Sequence, residues 1–150
     1  MTLPYENATS GERALGEIQK ILRSFGCNKF GSMVDDGDQE VIVQFEHRGR
    51  QVSVQASMRG YAAAWLKEHP WATRTRSTKI EHERKAMNIA STAVYSILRD
   101  WIKGQIMAIE TGILSFEGAF LGQILLPSGR TILETVAEQK MLPKLEDGHG

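Results

Sequence analysis

Residues 79–110 form a 32-residue stretch with no proline and one glycine, Gly104. It opens with Thr78-x-x-Glu81, a capping-box pattern in which each side chain serves the other residue's backbone N–H. Ile80, Met87, Ala90, Val94, Ile97, Leu98, Trp101, Ile102 and Met107 recur at helical spacing, and Gly112 marks the stop. A straight helix of this size is about 48 Å long, longer than a small domain is wide. Such a helix either bends at Gly104 or projects and serves as an interface between copies. Everything else in the chain has to pack around this rod.

Upstream, Thr9-x-x-Glu12 is read as a capping box opening a helix. Its apolar positions are Ala14, Leu15, Ile18, Ile21, Leu22 and Phe25, with Gly26 as the C-terminal stop. Three strand-like runs follow, residues 29–34, 40–46 and 51–57, separated by the turns Asp35-Asp36-Gly37-Asp38 and His47-Arg48-Gly49-Arg50. Val41, Val43 and Phe45 share one face, as do Val52, Val54 and Ala56. The opposite face holds Gln44, Glu46, Gln51, Ser53 and Gln55, with Ile42 the apolar exception. This alternation predicts an antiparallel meander with its apolar side on the first helix. Residues 61–67 suit a short helix stopped by Pro70, and residues 71–78 a polar, basic loop. Past the long helix, Ser115 caps a short helix, Pro127-Ser128-Gly129-Arg130 is a turn, and Thr131-x-x-Glu134 caps a last helix. The predicted class is α+β, with an N-terminal helix, a three-stranded antiparallel meander, a long helix and two short helices. Residues 1–142 form one domain and residues 143–150 a disordered tail.

One domain is also what 150 residues allow. The single cysteine, Cys27, excludes an internal disulfide and is read as a small buried hydrophobe. The polar N-terminus lacks a signal-peptide pattern, and no run approaches the ~20 apolar residues of a membrane span. The expected location is cytoplasmic, with no membrane partner.

The charge is zero overall but unevenly distributed. Residues 1–46 carry 4 cationic and 8 acidic side chains, residues 47–79 carry 7 and 1, and residues 80–150 carry 7 and 9. The basic middle third also contains Tyr61, Trp65 and Trp71. Cations beside aromatic rings suit a polyanion with exposed bases, the chemistry of nucleic-acid binding. The candidate binding residues are Arg48, Arg50, Arg59, Tyr61, Trp71, Arg74, Arg76, Lys79, Arg84 and Lys85. A solvated loop, with one or both tryptophans closing the core, is the competing reading of the same residues. For Trp101, within the helical stripe, the core is the expected place.

Catalytic patterns are sparse. His82-Glu83 begins like a zinc-protease motif, but position 86 is Ala86 where a second histidine is needed. Asp35, Asp36, Asp38 and Glu40 lack the 12-residue pattern of a calcium loop and read as a solvated acidic turn. The helix–three strands–helix order invites comparison with nuclease cores, but the third strand, Val52-Ser53-Val54-Gln55-Ala56, has neither carboxylate nor lysine. Double-stranded RNA-binding domains share the order and place basic residues at a helix start, here Lys79, Arg84 and Lys85, an analogy of order only. No metal, cofactor or catalytic residue is assigned.

Glu110-Thr111-Gly112-Ile113-Leu114-Ser115-Phe116-Glu117, Phe120-Leu121 and Leu126-Pro127-Ser128-Gly129-Arg130-Thr131-Ile132 resemble the C-terminal half of small uncharacterised proteins of tailed phages and prophages. The N-terminal Gly16-x-Ile18-x-x-Ile21-Leu22 pattern, the hairpin and the basic, Trp-containing middle are similar too, so that about two-thirds of the chain is covered. The resemblance implies a phage origin, a host-cell location and a compact α+β domain, and carries over no catalytic residue. Together these readings lead to the expectation of a non-enzymatic phage accessory protein that binds nucleic acid in replication or recombination. The alternative is a protein–protein module inhibiting a host enzyme or defence complex. Self-association through the long helix is compatible with both.

Overall fold

The structure, a computed structural model, describes residues 2–146. Of the predicted disordered tail, residues 147–150 lie outside the described residues.

Helix α1 spans Gly11–Phe25. Its N-cap is Ser10, whose side chain accepts from the Arg13 backbone N–H at 3.1 Å, and not Thr9 as the spacing predicted. Two hydroxyl residues precede the helix, and the nearer one reaches the free N–H. Gly26 ends α1 at φ 103°, a conformation glycine adopts without steric cost. At the other end, Gly11 sits against the long helix: an added Cβ would lie 2.9 Å from the Tyr95 ring.

Strands β1 (Lys29–Asp35), β2 (Glu40–His47) and β3 (Arg50–Ser57) form an antiparallel sheet in the order β1-β2-β3. The register pairs Val34 with Val41, Val43 with Val54 and Phe45 with Val52, so the inner face is apolar apart from the exposed Ser32 opposite Val43. Val41, Val43, Phe45 and Val52 are buried in one cluster with Ile18 and Leu22 of α1, as the alternation predicted. Ser53 departs from the predicted solvated face. It is buried, accepting a hydrogen bond from Gln44 Nε2, because β3 is covered along its outer edge. There Ile124 bridges Val52, and the Leu125 N–H donates to the Gln51 carbonyl at 2.8 Å.

Helix α2 (Met58–Glu68) starts one residue after β3 and stops before Pro70. Helix α3 (Lys79–Glu110) has the predicted length and the predicted capping box at Thr78 and Glu81. Both α1 and α2 pack along it. Ala86, Ala90 and Ala93 permit close approach, and Val94, Leu98, Ile102 and Ile106 fill the core. The predicted stripe holds only where a neighbour lies over it. At 15 and 11 residues, α1 and α2 are about 22 Å and 16 Å long, so parts of α3 are left uncovered. Ile80 is 68% exposed, Met107 55% and Trp101 36%; Trp101 meets Phe120 edge-on instead of entering the core.

Helix α4 (Phe116–Phe120), capped by Ser115, folds back on α3. It inserts the fully buried Phe120 between Phe45 and Trp101, with ring centroids 5.5 and 5.7 Å away. After a 3-10 turn at Leu121–Gln123 the chain covers the β3 edge and turns at residues 127–130. It ends in α5 (Ile132–Glu138), with the predicted capping box at Thr131 and Glu134. Among the described residues, no helix is long and apolar enough to cross a membrane.

Candidate nucleic-acid interface

The ten predicted binding residues fall into three places. Arg48 lies in the β2–β3 turn and Arg50 begins β3; Arg48 and Gly49 both have positive φ, 50° and 82°, as in a two-residue hairpin turn. Arg50 forms an ion pair with Glu117 of α4. Hydrogen bonding from Arg50 holds the Glu117 carboxyl below its ordinary range. This end also stacks His47 between Phe25 and Phe116, at 4.3 and 5.1 Å. Burial, with Arg48 adding to it, pushes the His47 pKa down and favours the neutral ring.

Arg59 and Tyr61 lie in α2. Arg59 Nε donates to Gln39 Oε1 at 3.0 Å, and the Tyr61 hydroxyl donates to the Pro4 carbonyl at 2.6 Å. The Tyr61 ring is half-buried against the core, which gives it a packing role.

The other six residues gather at the start of α3. Trp71, Arg74 and Arg76 lie in the loop before it, Lys79 is its first residue, and Arg84 and Lys85 follow within two turns. Trp71 is half-buried and its indole N–H donates to the Ser77 carbonyl at 2.9 Å. The Thr75 N–H donates to the Ala72 carbonyl at 2.8 Å. The loop is thus closed on itself by its own hydrogen bonds. All five cations are exposed, and none forms an ion pair among the described residues. The Lys85 ammonium stands 5.9 Å from the Trp65 ring centroid, a cation–π contact at the surface. Over residues 67–85 there are six cations, counting Lys67, against the acidic Glu68, Glu81 and Glu83. The Glu81 carboxylate is turned back to the Thr78 N–H in the capping box.

Below this surface lies a hydrogen-bonded knot that sequence reasoning missed. Trp65 is buried, and its indole N–H donates to Glu6 Oε2 at 2.9 Å. His69 Nε2 meets the same oxygen at 2.9 Å, while Glu6 Oε1 accepts from the Leu3 N–H at 3.0 Å. Burial opposes the Glu6 charge, but hydrogen bonds from His69, Trp65 and Leu3 outweigh it and hold its pKa below the ordinary value. His82, buried on the first turn of α3, directs Nε2 at the His69 carbonyl at 2.6 Å. That carbonyl can only accept, so Nε2 carries the proton. The knot fastens the N-terminal segment, the end of α2 and the start of α3 together, and so fixes the two ends of the basic loop. Its members are 59 and 63 residues apart in sequence, and no periodicity or local motif connects them.

The two basic ends are far apart. Arg50 pairs with Glu117, and Gln105 of α3 donates to the Ala119 carbonyl in the same short helix. Gln105 is 26 residues beyond Lys79, about 39 Å along the helix. Arg48 and Arg50 therefore belong to the opposite end of α3 from Arg74, Arg76 and Lys79. As for the acidic turn, Asp35 Oδ1 accepts from the Gly37 and Asp38 N–H groups at 2.9 and 3.1 Å, which is local turn closure.

Comparison of the chain with known protein families, curated proteins and solved structures finds no match.

Proposed function

We propose that this protein binds nucleic acid without chemical turnover, through the end of the molecule where α3 begins. The observation that carries this reading is the set of five exposed cations, Arg74, Arg76, Lys79, Arg84 and Lys85, which form no ion pair among the described residues, on a loop and helix start anchored by the Glu6–Trp65–His69–His82 knot. Phosphates are the natural ligand for such a cluster. The half-buried Trp71 ring beside Arg74 and Arg76 is the candidate platform for an unpaired base. Arg48, Arg50 and Arg59 stand apart from this surface and are not needed for it. The phage setting, in replication or recombination within the host cell, rests on the sequence resemblance.

The test is fluorescence anisotropy with labelled single- and double-stranded DNA and RNA at two salt concentrations, beside an Arg74→Glu/Arg76→Glu variant. Salt-sensitive binding that the variant loses supports the reading. Absence of binding at low salt refutes it. The second reading, a module that docks on a host protein, draws on the exposed outer sheet face around Met33, Gln44 and Gln55. Nuclease-resistant co-purification with one host protein would favour it.

A further inference from the structure

We infer that two copies of this chain pair through the open edges of their β1 strands, antiparallel about Ser32, to make one six-stranded sheet. This surface is separate from the cationic end of α3, and the inference does not depend on the nucleic-acid reading. The three strand positions differ in how their edges are treated. β2 is central, and the outer edge of β3 is covered by residues 124–125. Among the described residues β1 pairs with β2 alone, so along its seven residues every other N–H and C=O faces outward without a partner in the sheet. It contains no proline to blunt that edge.

The side chains on β1 are also more exposed than their position in the sheet explains. Val34 shares a face with the core residues Val41 and Val43, yet it is 47% exposed. Met33, paired with Ile42 on the other face, is 56% exposed. The identity of the partner comes from the strand's own sequence, Lys-Phe-Gly-Ser-Met-Val-Asp. Turned about a two-fold axis at Ser32, it places Lys29 opposite Asp35 of the second copy, Phe30 opposite Val34, and Gly31 opposite Met33. Both ends then carry opposite charges, the apolar residues meet on the helix side, and the glycine leaves room for the methionine. Lys29 already pairs with Glu46 at 3.1 Å, but its side chain is 67% exposed and has room for a second carboxylate. The turn hydrogen bonds occupy Asp35 Oδ1 and leave Oδ2 for the seam. The pairing is isologous and closes, so it yields a dimer and not a fibre. It adds about six to eight backbone hydrogen bonds.

The register makes the test specific. Ser32 meets its own copy at the axis with Cα atoms about 4.5–5.5 Å apart, within disulfide range. Val34 is displaced from its own copy by four residues, about 14 Å, beyond disulfide reach. The experiment is sedimentation equilibrium of the full chain, together with diamide oxidation of Ser32→Cys and Val34→Cys variants read on non-reducing gels. The native Cys27 is buried and serves as the unreactive background. The expected result is a mass twice the 16.8 kDa of the chain, with Ser32→Cys cross-linking and Val34→Cys not. A monomer at tens of micromolar overturns the inference. So does a dimer in which Ser32→Cys fails to cross-link, or in which Val34→Cys cross-links as readily.

Discussion

The arrangement of cations at one end of α3 predicts how binding depends on salt and which arginines matter. Five exposed cations there have no ion-pair partner among the described residues, so up to five phosphates can be neutralised without breaking an ion pair. Counterion release then gives a log–log slope of affinity against salt of about −4.5 on duplex and about −3.5 on single strands. In the same treatment each phosphate contact contributes about five-fold in affinity at 0.15 M salt. An Arg74→Gln/Arg76→Gln variant should lose about 30-fold on duplex, and its slope should fall to about −2.7. Arg48→Gln should change neither, since Arg48 lies at the hairpin end near α4. The assay is an anisotropy titration at four or more salt concentrations. A slope near zero refutes the phosphate reading. Equal losses from Arg48→Gln and from the double variant would refute the separation of the two ends.

Other expectations follow from the anchoring of this surface. Glu6 and Asp100 both hold the N-terminal segment, Glu6 through Trp65 and His69, and Asp100 by accepting from the Tyr5 hydroxyl at 2.6 Å. Hydrogen bonds from Tyr5 and Arg99 lower the Asp100 pKa, and Glu6 is lowered as well. Their stabilisation is complete above the ordinary carboxylate values of 4.5 and 3.8 and is lost as pH falls through the lowered native ones. The protection of residues 2–9 against hydrogen exchange, relative to the intrinsic rate at each pH, should therefore fall at acid pH before the core opens, and Glu6→Gln should flatten that dependence; simultaneous opening of segment and core would contradict it. Thr78→Ala removes the cap of α3 and should cost about 1 kcal/mol in denaturant unfolding. Cys27 is buried, with its thiol pushed up to about 11 by burial. It should be silent to a thiol reagent at pH 8 until the chain unfolds, so rapid native-state labelling would show that site to be open.

What was legible in the sequence is what local chemistry decides. Thr78 with Glu81 and Thr131 with Glu134 form the boxes their spacing predicts, and the alternation from Val41 to Phe45 sets the sheet's buried face. Where local rules tie, as between Thr9 and Ser10, sequence alone chose the wrong residue. Where a residue's place depends on how far a neighbour extends, the stripe misled. Ile80 and Trp101 lie on helical spacing but beyond or beside the helices that could cover them. The Glu6–Trp65–His69–His82 knot was invisible because three distant segments supply it. The basic third was visible as composition but not as shape.

That last difference has a structural cause with a measurable consequence. Between Arg50 and Arg74 the chain runs up the eight residues of β3 and then the eleven of α2. Val52 lies beside Ile124, past α4, while Trp65 lies beside His82, on the first turn of α3. Strand and helix thus carry the chain from one end of α3 to the other, and a single basic stretch in sequence becomes two basic ends about 39 Å apart. At 3.4 Å per nucleotide along a strand, a duplex shorter than about 12 base pairs cannot touch both ends. If the start of α3 alone carries binding, an 8-base-pair duplex should bind with the same intrinsic affinity and salt slope as one of 20, once the statistical factor for the number of sites is removed. If the hairpin end contributes, affinity should rise and the slope steepen as the duplex passes about 12 base pairs, and Arg48→Gln should cancel that increment. Only the first pattern is consistent with an interface confined to Arg74, Arg76, Lys79, Arg84 and Lys85.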